Sequence, residues 1–190
     1  MKRFLLRLIL IIILIPTNLY SQVNDSAILA DPPPKLLSEY GFFLNTKDQI
    51  TVPGVLPYEL ITSLFSDYAD KHRFVYVPKG KIAAYQKNSV FSFPVGSVLI
   101  KTFSYEPINN QRSERHLIET RLLIRKDSGW DALTYVWDEE GQEASLSLAG
   151  KTVKANYISN DGRQLDIRYR VPNKNQCKEC HLENESIVPI

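Results

Sequence analysis

A chain of 190 residues, 44% hydrophobic and 23% charged, is long enough for one domain with its own core, and a formal charge of +2 gives no electrostatic case for nucleic acid. Eleven prolines, ten tyrosines and eight phenylalanines beside a single methionine favour turns and aromatic strands over a helical bundle.

At the N-terminus Lys2, Arg3 and Arg7 precede an apolar run over residues 8–15, then Pro16 and a polar stretch ending at Ser21. That is the layout of a secretory signal peptide over residues 1–21. The run is about half the ~20 residues that a spanning helix needs, so an uncleaved anchor is the weaker alternative. Both cysteines lie at the far end of the chain, which closes the lipid-attachment route. Cleavage removes three cations and no acid, taking the formal charge from +2 to −1. The remaining ~170 residues are expected to be soluble in a periplasmic or other extracytoplasmic space, with no stable membrane anchor.

Residues 22–34 (QVNDSAILADPPP) are polar and proline-rich and read as a flexible leader without a fold. A β-rich domain is expected over residues 35–172. Within it, KLLSEYGFF (35–43) predicts a short helix ending at Gly41, and residues 57–71 predict a second one with Pro57 in its first turn. From Arg73 onwards, short β-branched and aromatic runs predict strands near 73–77, 90–93, 97–105, 115–126, 130–138, 143–148, 151–158 and 163–171. The last pair alternates most clearly: Val153, Ala155 and Tyr157 in one strand, Leu165, Ile167, Tyr169 and Val171 in the other. Turn residues at 127–129, 140–141 and 159–162 predict hairpins. The fold class is therefore mainly β, an antiparallel sandwich or partly closed barrel with short N-terminal helices and a short C-terminal attachment helix.

Residues 173–190 contain the one motif whose spacing dictates a chemistry, Cys177-Lys178-Glu179-Cys180-His181. Two cysteines three apart in a helical turn present their sulfurs on one side, spaced for thioether bonds to the two vinyl groups of a porphyrin. The adjacent histidine then supplies an imidazole to the iron. One covalent haem c is expected, held by Cys177, Cys180 and His181, with His181 as an axial ligand. A plain disulfide, a redox-active cysteine pair and a zinc site are the alternatives. The redox pair belongs early in a βαβ pattern, and zinc would want a fourth ligand.

The blocks LSEYGFF (37–43), GVLPYELITSLFSDYADKHRFVYVP (54–78), VFSFPVGSVLIKTF (90–103), LIETRLLIR (117–125), YVW (135–137) and VPNKNQCKECH (171–181) carry a resemblance. Together they resemble the N-terminal portion of an uncharacterised family of two-haem c-type cytochromes of bacterial envelopes. The resemblance implies a first haem at Cys177, Cys180 and His181 and a second Cys-x-x-Cys-His in a following helical region. This sequence runs nine residues past His181 without that second motif, so residues 173–190 read as the start of a truncated cytochrome c domain.

A second axial ligand is not evident. The one methionine is Met1, which leaves with the signal peptide, so the sixth position falls to His72 or His116, stays open, or belongs to a missing segment. Asp67, Tyr68, Lys71, His72 and Arg73 cluster at a predicted helix-to-strand junction, as a binding site or as a hydrogen-bonded corner with a solvated face. Glu119 and Arg121 share one strand face, with Ile118, Leu122 and Ile124 on the other, and read as a surface ion pair. No nucleophile with a partnered base, and no phosphate loop, can be assembled. The functional expectation is single-electron transfer with an unidentified redox partner protein, the β domain serving as platform. The alternatives are a haem enzyme or ligand sensor with an open axial site, and a truncated product that retains a β-rich binding module.

Overall fold

The computed structural model describes residues 22–62, 64–105, 115–158, 163–177, 181–183 and 186–189. The expected signal peptide and the expected turn at 159–162 lie outside the described residues.

Residues 22–34 are not the foldless leader that their composition suggests. They carry a short helix, α1 (Asp25–Leu29), whose first turn is capped by Asn24 Oδ1 accepting from the Ala27 amide at 3.2 Å. Ala27 and Ile28 are buried, and the Tyr76 hydroxyl donates to Asp25 Oδ1 at 2.6 Å. Three apolar residues, Ala27, Ile28 and Leu29, too few to show a period, thus find a sheet to pack on. The helix predicted over 35–43 is a single 3-10 turn, Leu37–Tyr40, ended by Gly41 at φ +67. A Cβ on Gly41 would come within 2.7 Å of the Gln22 carbonyl oxygen, so glycine is required there by space as well as by conformation. A small hairpin follows, β1 (Phe43–Asn45) with β2 (Ile50–Thr51).

The helix predicted over 57–71 does not form. Its first residue closes β3 (Val55–Pro57), and its last two open β4 (Asp70–Tyr76), which pairs antiparallel with β3. Between them the chain loops outward, with Asp67 and Tyr68 both at positive φ and Ile61, Leu64 and Phe65 exposed. A helix this short depends on burying its apolar face, and pairing within the sheet competes successfully for both ends of the segment. Pro57 is tolerated because β3 is an edge strand.

From β3 and β4 the main sheet runs on in chain order through β5 (Val98–Tyr105), β6 (His116–Lys126), β7 (Gly129–Trp137) and β8 (Ala144–Leu146), six strands in an antiparallel meander. The strand predicted near 90–93 is reduced to one bridge between Ala84 and Ser92. β9 (Lys151–Ile158) and β10 (Gln164–Val171) form the expected hairpin, in unbroken register from Gln164 opposite Ile158 to Val171 opposite Lys151. Of the two expected architectures the sheet takes the open, sandwich-like one and is not closed into a barrel.

The sheet has a core on each side. On one face Phe74, Tyr76, Ile100, Leu122, Leu133 and Tyr135 pack under the N-terminal segment. On the other, Phe103, Tyr105, Ile118 and Val136 pack under Ala155, Tyr169 and Val171 of the β9–β10 hairpin. A register shift between Phe103 and Ser104 makes Ile118 an extra residue in β6, so that it shares the hairpin face with Glu119 instead of lying opposite it.

Candidate functional site

The approach to the motif is set by a local hydrogen-bonding pattern. The Asn173 amide donates to Gln176 Oε1 and the Gln176 amide to Asn173 Oδ1, both at 3.0 Å. This reciprocal pair opens helical turns, and it delivers Cys177 with its Sγ donating to the Asn173 carbonyl at 3.8 Å. Residues 178–180 lie outside the described residues, and with them Cys180 and most of the expected attachment helix. At His181 the chain enters a two-residue hairpin, β11 (Leu182–Glu183) with β12 (Ser186–Ile187), and β12 lies against β7.

His181 is held from two sides by Val188. The Val188 amide donates to the His181 carbonyl at 2.8 Å, and His181 Nδ1 lies 2.9 Å from the Val188 carbonyl. A carbonyl oxygen only accepts, so Nδ1 carries the proton and Nε2 keeps its lone pair. Burial pushes the imidazole below its ordinary value, opposed by the Val188 carbonyl and reinforced by the charges of Lys101 and Arg121, which favours the neutral form that binds metals. Cys177 is not in a disulfide among the described residues, and burial raises its thiol against the opposing pull of Arg121. Both side chains are only partly exposed, because the segment folds back onto the sheet.

The sheet face beneath the motif is basic. In the β4–β5–β6 register Arg73 stands opposite Lys101 and Lys101 opposite Arg121. The guanidinium of Arg121 and the ammonium of Lys101 both lie over the Phe103 ring, at 4.5 and 5.1 Å from its centroid. Burial and the neighbouring Arg121, Arg73 and Lys71 charges lower Lys101 to about 8. Glu119 is not the surface residue expected. It is fully buried, and its Oε1 accepts from Arg121 Nη2 at 2.5 Å and from the Tyr169 hydroxyl at 2.6 Å. Arg73, Lys101, Arg121, Tyr58, Leu60 and His181 line one cavity of about 80 Å³.

The donors described fit haem c attachment. Cys177 is a protonated thiol in reach of solvent, and the bond to the Val188 carbonyl fixes the His181 tautomer as buttressed metal-ligating histidines are fixed. The cavity itself has room for a few waters, not for a porphyrin. Leu60 lines the cavity, and the loop after β3 also exposes Ile61, Leu64 and Phe65.

Of the histidines expected as a sixth ligand, His72 is on the wrong side of the sheet. It pairs with Thr102 on the face opposite Arg73 and Lys101, and its Nε2 lies 3.2 Å from Ser104 Oγ. His116 lines a separate groove of about 600 Å³ with Trp137 and Glu139. The corner at 67–73 is likewise divided. The Tyr105 hydroxyl donates to the Asp67 carbonyl at 2.7 Å, Lys71 Nζ donates to the Leu64 carbonyl, and only Arg73 reaches the cavity. The sequence reading missed Tyr58 and Lys101, whose one signal is a cross-strand register.

Among the described residues no three His, Cys, Asp or Glu side chains gather as a metal cluster, and no helix is long and apolar enough to cross a membrane. Compared with protein-family models, curated proteins and solved structures, the chain shows no match.

Proposed function

We propose that this chain is an extracytoplasmic haem protein that transfers single electrons through one haem c held covalently by Cys177 and Cys180, with His181 as an axial ligand. The observation that carries the reading is the Nδ1–H bond from His181 to the Val188 carbonyl, which aims an unprotonated Nε2 away from its support within a Cys-x-x-Cys-His motif. When bound, the haem supplies a one-electron iron couple. Attachment would add the S–H of Cys177 and of Cys180 across the two vinyl groups, sulfur to one carbon and hydrogen to the other, with no net oxidation. A raised Cys177 pKa disfavours thiol–disulfide exchange, which runs through the thiolate.

The test is expression with a cytochrome c maturation system, followed by denaturation, haem absorbance and intact mass. Bound porphyrin should survive denaturation in the native chain and be lost in Cys177→Ala/Cys180→Ala. His181→Ala should chiefly change the iron ligation. Denatured protein without porphyrin refutes the reading. A haem enzyme or ligand sensor with an open axial site gains from the placement of His72 behind the sheet. Rapid, complete carbon monoxide binding by the reduced protein would favour it.

A further inference from the structure

We propose that the row Arg73, Lys101 and Arg121, with Tyr58 at its rim, is a carboxylate-binding cradle, and that the carboxylates it takes are the propionates of the porphyrin tethered beside it. The carboxylate chemistry stands on the sheet alone; the choice of occupant rests on the haem reading above.

Like charges directly opposite each other on neighbouring strands are destabilising, yet this face places three in one line across β4, β5 and β6. Their counter-charge is incomplete. Glu119, buried beside Arg121, spends its Oε1 on Arg121 and Tyr169. Glu59, 3.6 Å from Arg73 Nη1, has a side chain that is 85% exposed, where solvent screens it. Lys101 has no carboxylate within ion-pair distance among the described residues.

The row also carries unused donors. Arg73 is only 5% exposed, and its buried Nε has no hydrogen-bond partner, nor has the buried Nε of Arg121. Buried polar atoms are almost always paired, and two guanidinium groups that line one cavity and each keep an unpartnered donor point to a missing acceptor. A carboxylate is the acceptor that a guanidinium fork matches, through two parallel N–H···O bonds. The cavity of about 80 Å³ admits the carboxylate end of a ligand and leaves its body outside. His181 lines the same cavity, so a ligand anchored at the motif meets the row with its anionic edge.

The experiment uses the full chain expressed without haem maturation, titrated with iron mesoporphyrin, with its dimethyl ester and with succinate. Mesoporphyrin has ethyl groups in place of vinyls and cannot be attached to the cysteines, and the ester lacks the carboxylates. The acid form should bind about tenfold or more tightly than the ester. Lys101→Met should abolish that preference while leaving ester binding unchanged, and Lys101→Arg should restore it. Equal binding of acid and ester by the native chain overturns the proposal, as does failure of all three ligands to bind. Succinate binding that Lys101→Met removes, without any porphyrin binding, overturns the propionate assignment and leaves a site for a free dicarboxylate. The haem reading fails separately, in the maturation assay, and its failure there leaves the succinate result standing.

Discussion

Replacing Glu119 by Gln tests whether this carboxylate is the buried counter-charge of the basic face. The substitution keeps the shape of the side chain and removes only its charge. Two charge-assisted bonds converge on Oε1, from Arg121 at 2.5 Å and Tyr169 at 2.6 Å, and hydrogen bonds to charged groups contribute about 1.5–3 kcal/mol each. Glutamine retains one amide oxygen to accept from either donor, and its nitrogen gains nothing at the position of Oε2, which has no partner. A loss near 3 kcal/mol follows, at the low end of the ~3–5 kcal/mol for breaking a buried pair. At roughly 2–4 °C per kcal/mol, thermal unfolding should fall by ~6–12 °C. Urea denaturation of the native chain, Glu119→Gln, Arg121→Met and the double variant closes a cycle in which Glu119→Gln costs much less once Arg121 is gone. A cost below about 1 kcal/mol in the native background, the range of exposed pairs, would refute the assignment.

Asn173→Ala removes the acceptor of the Gln176 amide, and should cost about 1 kcal/mol while raising the rate at which a thiol reagent modifies Cys177 in a Cys180→Ser background; an unchanged rate argues against the cap as what holds the turn. Burial lowers the His116 imidazole below its ordinary 6.5, so the folded chain binds fewer protons than the unfolded one as pH falls through and below that value. Stability should therefore drain on acidification, and His116→Gln should flatten that slope in pH-dependent denaturation. Chymotrypsin should cut the haem-free chain first at the exposed Leu64 and Phe65 and spare both when haem is attached, as mass spectrometry of the fragments would record. Equal cutting in both forms removes the loop from the haem environment.

Strands were legible wherever the physical signal is local. The alternation of Leu165, Ile167, Tyr169 and Val171 marks a half-buried hairpin without any knowledge of its partner, and Tyr169 and Val171 are indeed buried. Helices were less legible because short helices draw their stability from tertiary packing. Residues 57–71 carry an acceptable helical pattern, but both ends join the sheet, whereas residues 25–29 lack a pattern and become helical because Ile28 meets an apolar sheet face.

The candidate site divides along the same line. Cys177 and His181 announce themselves by spacing alone, whereas the turn before them emerges only from the reciprocal bonds of Asn173 and Gln176. The face they rest on exists only through register: Arg73, Lys101 and Arg121 lie 28 and 20 residues apart in sequence and become neighbours because three strands align without a slip at those positions. Two residues further along, the slip at Ile118 sets it beside Glu119, and the β9–β10 hairpin that covers this face, with Tyr169 on the Glu119 carboxylate, turns an expected surface acid into a buried one. A slip of one residue reverses which face each side chain takes. The charge pattern that gives this face its anion chemistry is therefore a property of strand pairing, and a register-shifting insertion between Lys101 and Phe103 should abolish the carboxylate preference while leaving Cys177 and His181 in place.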